Sequence, residues 1–162
     1  MAAPRGTIRA PARRPCATCP YRRDVPSGVW APEEYEKLRR YDAPTMEQPP
    51  GVFVCHTTGR NAETARVCAG WAGTHDGPHL LALRIAAMTG TLSGEDVHAT
   101  IDHVSPDPLF ASGAEAADHG MSEVNAPGPR ALVAMSKVHR VRSDLITPVV
   151  ERSPEEKSTD GR

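Results

Sequence analysis

Four cysteines spaced C-x2-C-x35-C-x12-C constrain this chain more than any other feature. Cys16 and Cys19 share one tight turn, and Pro20 holds the chain extended as it leaves. Cys55 ends a short apolar run, and Cys68 opens a Cys-Ala-Gly-Trp turn. In a reducing compartment such cysteines serve metal binding or redox chemistry rather than structural disulfides. Four thiolates fill a tetrahedral zinc site or supply the corners of a [4Fe–4S] cluster. The expected metal set is therefore Cys16, Cys19, Cys55 and Cys68, with zinc first and the iron–sulfur cluster as the alternative. Free buried thiols and a Cys16–Cys19 redox pair are the competing readings.

Composition sharpens the need for such a site. Leu, Ile, Val and Phe together number 27 of 162 residues, and the formal net charge is −1. A chain this poor in aliphatic residues lies at the edge of disorder, and only its near-neutral charge keeps it out of that class. A small core of this kind usually needs a staple. The expected fold is α+β and helix-rich, a small domain stapled by a four-cysteine metal site, with flexible N- and C-terminal tails. On that reading the metal is a condition of folding, and Cys16→Ser or Cys68→Ser abolishes cooperative unfolding.

Residues 1–15 are rich in Ala, Arg and Pro without an acid and read as a disordered basic arm. Residues 16–104 form the expected metal-stapled core; all four cysteines and six of the seven aromatics lie in 16–90. Residues 105–150 read as a loosely packed helical extension, and 151–162 as a disordered tail. Within this frame 91–129 carries seven acids and no Lys or Arg, so it repels nucleic acid or folds back on the arm.

Pro32 with Glu33 and Glu34 opens a helix to about Tyr41, with Tyr35 and Leu38 facing inward. The prolines of 42–51 force a loop. Val52-Phe53-Val54-Cys55 is β-branched and aromatic and reads as a short strand. Pro78–Thr89, closed by Gly90, is the strongest helix pattern, and Leu80, Leu81, Leu83, Ile85 and Met88 make it central. Weaker helices are expected over Glu95–His103 (Val97, Ile101 and Val104 aligned), after a Ser112 cap with Glu115 three residues on, and over Pro129–Arg142 (Leu132, Met135 and Val138 or His139 on one stripe).

His56, His75 and His79 are the alternate or outer ligands. Adjacent strand residues point to opposite faces, so Cys55 and His56 do not share one ion from regular strand geometry. His75 and His79 have helical spacing, but Pro78 lies between them. Nucleotide-binding, hydrolase and deaminase motifs are absent, and four cysteines close a zinc site rather than leave it open for catalysis. The expectation is a metal-binding accessory or interaction module, not an enzyme. Its partner is a protein, or nucleic acid held by Arg5, Arg9, Arg13 and Arg14. No membrane role is expected, since neither a secretory leader nor a spanning segment is legible, and the location is cytoplasmic.

The order Cys-Ala-Thr-Cys-Pro-Tyr-Arg-Arg-Asp (16–24), Val-Cys-His (54–56) and Cys-Ala-Gly-Trp (68–71), leading into His-Leu-Leu-Ala-Leu-Arg-Ile (79–85), resembles a family of small bacterial proteins, frequent in actinobacteria and phages, of unknown function. The resemblance implies that the four cysteines belong together and that Arg22, Trp71 and Arg84 are part of the same module. It implies no activity.

Overall fold

A computed structural model describes residues 7–58 and 63–147. Arg5 of the basic arm and the 151–162 tail lie outside the described residues. Six α-helices follow one another: α1 (Pro32–Arg40), α2 (Ala69–Thr74), α3 (Leu81–Thr89), α4 (Gly94–Ile101), α5 (Gly113–Met121) and α6 (Pro129–Arg142). Short 3-10 turns cover Thr45–Glu47, His56–Thr58, Gly77–His79 and Ser143–Leu145. No helix among the described residues is long and apolar enough to cross a membrane.

The α+β expectation is corrected: among the described residues there is no strand, only isolated bridges. Val52–Cys55 has β-forming composition but pairs with little. Val54 bridges antiparallel to Val67, with Cys55 N–H donating to Arg66 O and Cys68 N–H to Phe53 O. Beyond Cys55 the chain coils into the His56–Thr58 turn, and beyond Cys68 it enters α2, so the ladder cannot lengthen.

The metal-stapled closure is corrected with it. Among the described residues no group of three or more His, Cys, Asp or Glu is arranged to hold a metal ion. Closure comes from packing instead. Trp30, Trp71, Tyr21, Tyr35, Leu38, Leu80, Leu83 and Leu92 are each at most 2% exposed and belong to one apolar cluster. Large aromatic side chains offset a low aliphatic count because each buries far more surface than a Val.

The tightest helix pair is α1 against α5. Tyr35 and Leu38 of α1 meet Gly113, Ala116, Ala117 and Gly120, all buried. A Cβ at Gly120 would overlap the Tyr35 ring, and one at Gly113 would overlap the Leu38 carbonyl. The Tyr35 hydroxyl accepts from the Val29 and Trp30 N–H groups, at 3.0 and 3.1 Å, which ties the loop before α1 to the same contact. Asp42 accepts from Gly113 N–H and Ala114 N–H (2.9 and 2.7 Å), and Ser112 Oγ from Glu115 N–H, so the α5 N-terminus is capped twice. Helix α5 is thus docked on α1 through its small residues and its capped N-terminus.

Other differences have equally local causes. The 78–89 helix begins at Leu81, since Pro78 sits in the Gly77–His79 turn; Gly90 closes it at φ 74°. Met88 is 86% exposed, and the buried face is Ala82, Leu83 and Ala86. Val104 lies past the end of α4 and is exposed. On α6 the buried stripe keeps the expected Met135 and Val138, with Ala131 in place of Leu132, and Leu132 and His139 face outward. From Thr7 onward the basic arm is fastened: Ile8 N–H donates to Thr91 O, Arg9 pairs with Arg66, Ala10 N–H donates to Asp96, and Arg14 grips Asp107 through two bonds of 3.0 and 2.6 Å. The acidic segment has folded back on the arm.

Gly120→Ala is expected to destabilise the protein by about 1–3 kcal/mol through overpacking against Tyr35, read as a lowered urea midpoint. An unchanged midpoint contradicts the α1–α5 account. Arg14→Ala, on an exposed side chain, should leave the midpoint nearly unchanged in the same assay.

Candidate functional site

The four cysteines reach one place from three segments. The knuckle is a tight turn, with Cys19 N–H donating to Cys16 O (3.0 Å) and Arg22 N–H to Cys19 O (3.1 Å). The Trp30 indole N–H donates to Thr18 O at 2.9 Å and anchors the turn to the core. Across from it, the Val54–Val67 bridge sets Cys55 opposite Arg66 and Cys68 opposite Phe53, one cysteine at each end of the bridge. Cys68 precedes the first turn of α2. A Cβ at Gly70 would overlap Cys19 Sγ and would stand 2.7 Å from Tyr21 Cβ, so only glycine lets α2 lie this close to the knuckle.

The result is a chain of thiols rather than a finished cage. Cys19 Sγ and Cys68 Sγ are 3.7 Å apart and buried. Cys16 and Cys55 are half-buried, with nearby hydroxyls on Thr18 (3.8 Å) and Thr57 (3.2 Å). The Cys19 thiol, and then the Cys55 thiol, hydrogen-bond Cys16 and hold it far below the ordinary thiol range against the cost of burial. Cys55 moves up in consequence of its bond to Cys16 and of burial. Cys19 moves up chiefly through burial, then through its bonds to Cys16 and Cys68. A cavity of about 240 Å³ opens beside Cys16 and Cys55, with Arg14 and Arg66 in its wall.

The three histidines sit elsewhere. His56 follows Cys55 but opens the 3-10 turn, which carries its side chain inward. Its ring stacks on Trp30 at a centroid distance of 4.2 Å, Nε2 is 3.7 Å from Glu34 Oε2, and Nδ1 is buried without a hydrogen-bond partner among the described residues. His75 lies among Tyr21, Tyr41 and Trp71, with Nε2 3.4 Å from the Tyr21 hydroxyl and Nδ1 3.8 Å from Asp42. Burial lowers its pKa, and Asp42 only partly opposes this. His79 is exposed and bonds Asp76 at 2.7 Å. Of the residues that the resemblance drew in, Trp71 is wholly buried, and Arg22 bonds Asp24 while standing 3.7 Å from Asp107. Arg84 is exposed and donates to Pro78 O. Sequence reasoning missed Asp42, Asp107 and the steric role of Gly70. Only Gly70 left a trace, as the small residue inside Cys-Ala-Gly-Trp.

Residues 11–142 match the model of a family of unknown function, DUF6283, and the chain belongs to that family. No curated protein matches it. No solved structure matches it either.

The lowered pKa of His75 gives a signed pH dependence. Its ordinary value is about 6.5, so near and below that pH the unfolded chain takes up a proton that the folded chain refuses. Stability attributable to His75 is complete above about pH 6.5 and falls as the pH drops toward the folded value. His103, lowered by burial, acts in the same sense. Urea midpoints at pH 8, 7, 6 and 5 should decline on the acid side, and less steeply in His75→Phe. Equal declines in the two proteins contradict the assignment.

Proposed function

We propose that this family member is a small metal-binding protein whose four cysteines take up one thiophilic ion, zinc in the first instance, and that it serves as an accessory or interaction module. The observation that carries the reading is the 3.7 Å separation of Cys19 and Cys68 sulfurs. In a tetrahedral site with Zn–S bonds of about 2.3 Å the ligand sulfurs lie about 3.8 Å apart. The donor chemistry fits as well: hydrogen bonds from Cys19 and Cys55 push the Cys16 pKa down, which favours the thiolate a metal needs. Cys16, Cys19, Cys55 and Cys68 would hold the ion, and a closed tetrathiolate would cross-link their three segments without an open position for substrate.

The protein's own part is to gather the sulfurs and release their protons. Binding a metal through thiolates releases protons, so affinity falls as the pH falls. The linked pairs must tighten to enclose an ion, which the half-buried Cys16 and Cys55 are free to do. The apolar core closes independently of the ion, so metal removal leaves cooperative unfolding in place. Four free cysteines also favour a reducing, cytoplasmic setting for this role. Arg9 and Arg13, exposed on the fastened arm, are the side chains through which a protein or nucleic-acid partner would be met. The cysteine order and the likeness to small actinobacterial and phage proteins belong to the same proposal.

One observation favours a second occupant. The cavity of about 240 Å³ beside Cys16 and Cys55 has room for more than a single ion, which supports a [4Fe–4S] cluster on the same four sulfurs.

Elemental analysis and native mass spectrometry of anaerobically purified protein separate these readings. The expected result is one zinc per chain, lost in Cys16→Ser and Cys68→Ser, with a denaturant transition that stays cooperative in the chelated wild type. A brown protein carrying four irons replaces zinc by the cluster. A metal-free protein that zinc titration cannot load overturns both.

A further inference from the structure

The His56–Thr58 turn separates two recesses that share Thr57, and cations border both. On the knuckle side Arg14 and Arg66 stand in the wall of the Cys16–Cys55 cavity. Arg66 faces Arg9 across a parallel bridge and donates to Ala10 O at 3.1 Å, which carries the charge onto the arm that bears Arg13. On the far side α6 packs against the turn and sets Lys137 at the second recess, with Arg140 three residues on. Positive charge thus runs from the arm, past the turn, to α6. We propose that this band binds the phosphate backbone of duplex DNA without reading its bases. The proposal rests on the interaction-module reading above, for which it names the partner, and not on the ion.

Four observations select that partner. First, Arg14 is held by Asp107, whereas Arg9, Arg13, Arg66, Lys137 and Arg140 are exposed and meet no carboxylate among the described residues. The acids that grip the arm are engaged, Asp96 by Ala10 N–H and Ser93, Asp107 by Arg14. Exposed Glu63 and Glu95, near Arg66 and Asp96 in the chain, leave the five cations in excess. Second, Arg9 and Arg66 are like charges set side by side, an unfavourable pairing that an anion between them relieves. Third, four of the five cations are arginines, whose planar fork matches phosphate oxygens.

Fourth, the band lacks what other anionic partners require. Every Trp and Tyr ring is buried and Phe110 is half-buried, so no exposed ring is available for stacking the bases of a single strand. The same lack removes the aromatic centre of a specific protein interface. A helix that lies on a membrane presents Trp, Phe or Leu beside its cations, and here Lys137 and Arg140 have Val133 and Val141 as exposed neighbours. Duplex RNA is recognised largely through its 2′-hydroxyls, whereas this band offers guanidinium groups.

Fluorescence anisotropy of a labelled DNA duplex of about 20 base pairs, titrated with the full chain from about 50 to about 300 mM KCl, tests the proposal. Binding should be saturable, with log K falling against log[KCl] at a slope between about −3 and −5. The pairs Arg9→Ala/Arg66→Ala and Lys137→Ala/Arg140→Ala should each flatten that slope by about 2 and weaken low-salt binding by about tenfold or more. Arg40→Ala/Arg84→Ala removes the same charge from exposed positions that line neither recess, and should leave slope and affinity near wild type. Thermal unfolding of all three variants is checked alongside, and the α6 pair decides the matter if the arm pair fails to fold. The proposal is overturned by absence of binding at about 50 mM KCl or by equal losses in the band and control pairs. Tighter binding of the single strand, a duplex RNA, poly-glutamate or vesicles containing phosphatidylglycerol also overturns it and gives the band to that partner. Zinc content measured on the same samples keeps the two readings apart, since a zinc-loaded chain that ignores DNA loses this proposal alone.

Discussion

The close approach of α2 to the knuckle governs this molecule. Gly70 leaves no side chain between the helix backbone and Cys19 Sγ, and everything at the thiol site follows from that contact. It sets Cys19 and Cys68 at 3.7 Å, buries Trp71 beneath the same helix, and positions Tyr21 between the sulfurs and His75. A larger residue at position 70 would push α2 outward and separate the two halves of the cysteine set. The remaining pair, Cys16 and Cys55, stays half-buried because it lies at the edge of this contact rather than under it.

The packing around that contact is aromatic and close rather than aliphatic and extensive. Small residues on α5 admit the Tyr35 ring, and the Tyr35 hydroxyl in turn satisfies two buried N–H groups of the preceding loop. Trp30 joins the knuckle to the core through Thr18 and stacks on His56 with its other face. Few residues therefore serve several contacts each. This explains how a chain with so few Leu, Ile, Val and Phe closes without the cysteines acting as its staple.

Punctuating residues made much of the helical scheme legible. Pro32 with its two glutamates, the Ser112 cap and Gly90 each mark an end that α1, α5 and α3 use. Helix α2 escaped because six residues containing two glycines carry no periodic apolar signal. The strand over 52–55 was misread because β-branched composition reports a fit to a pleated surface, and here a single bridge to Val67 is all the partner available. The fastening of the arm depends on Asp96 and Asp107, each more than 80 residues away, and local pattern carries no such pairing. At the site, the cysteine spacing named the residues that converge. It did not convey that they meet as linked pairs, nor that His56 and His75 would be drawn into the aromatic core rather than toward the sulfurs.

The central claim is that four thiols from three segments behave as one ligand set. Cobalt(II) titration of the reduced, metal-free protein tests it most directly, because thiolate-to-cobalt charge transfer and the visible bands of tetrahedral cobalt report the number and type of ligands. The account predicts saturation at one equivalent with a tetrathiolate spectrum, weakened or altered in each of the four single Cys→Ser variants and unchanged in His75→Phe. A spectrum insensitive to Cys16 or Cys55, or no tetrahedral cobalt at all, would contradict it.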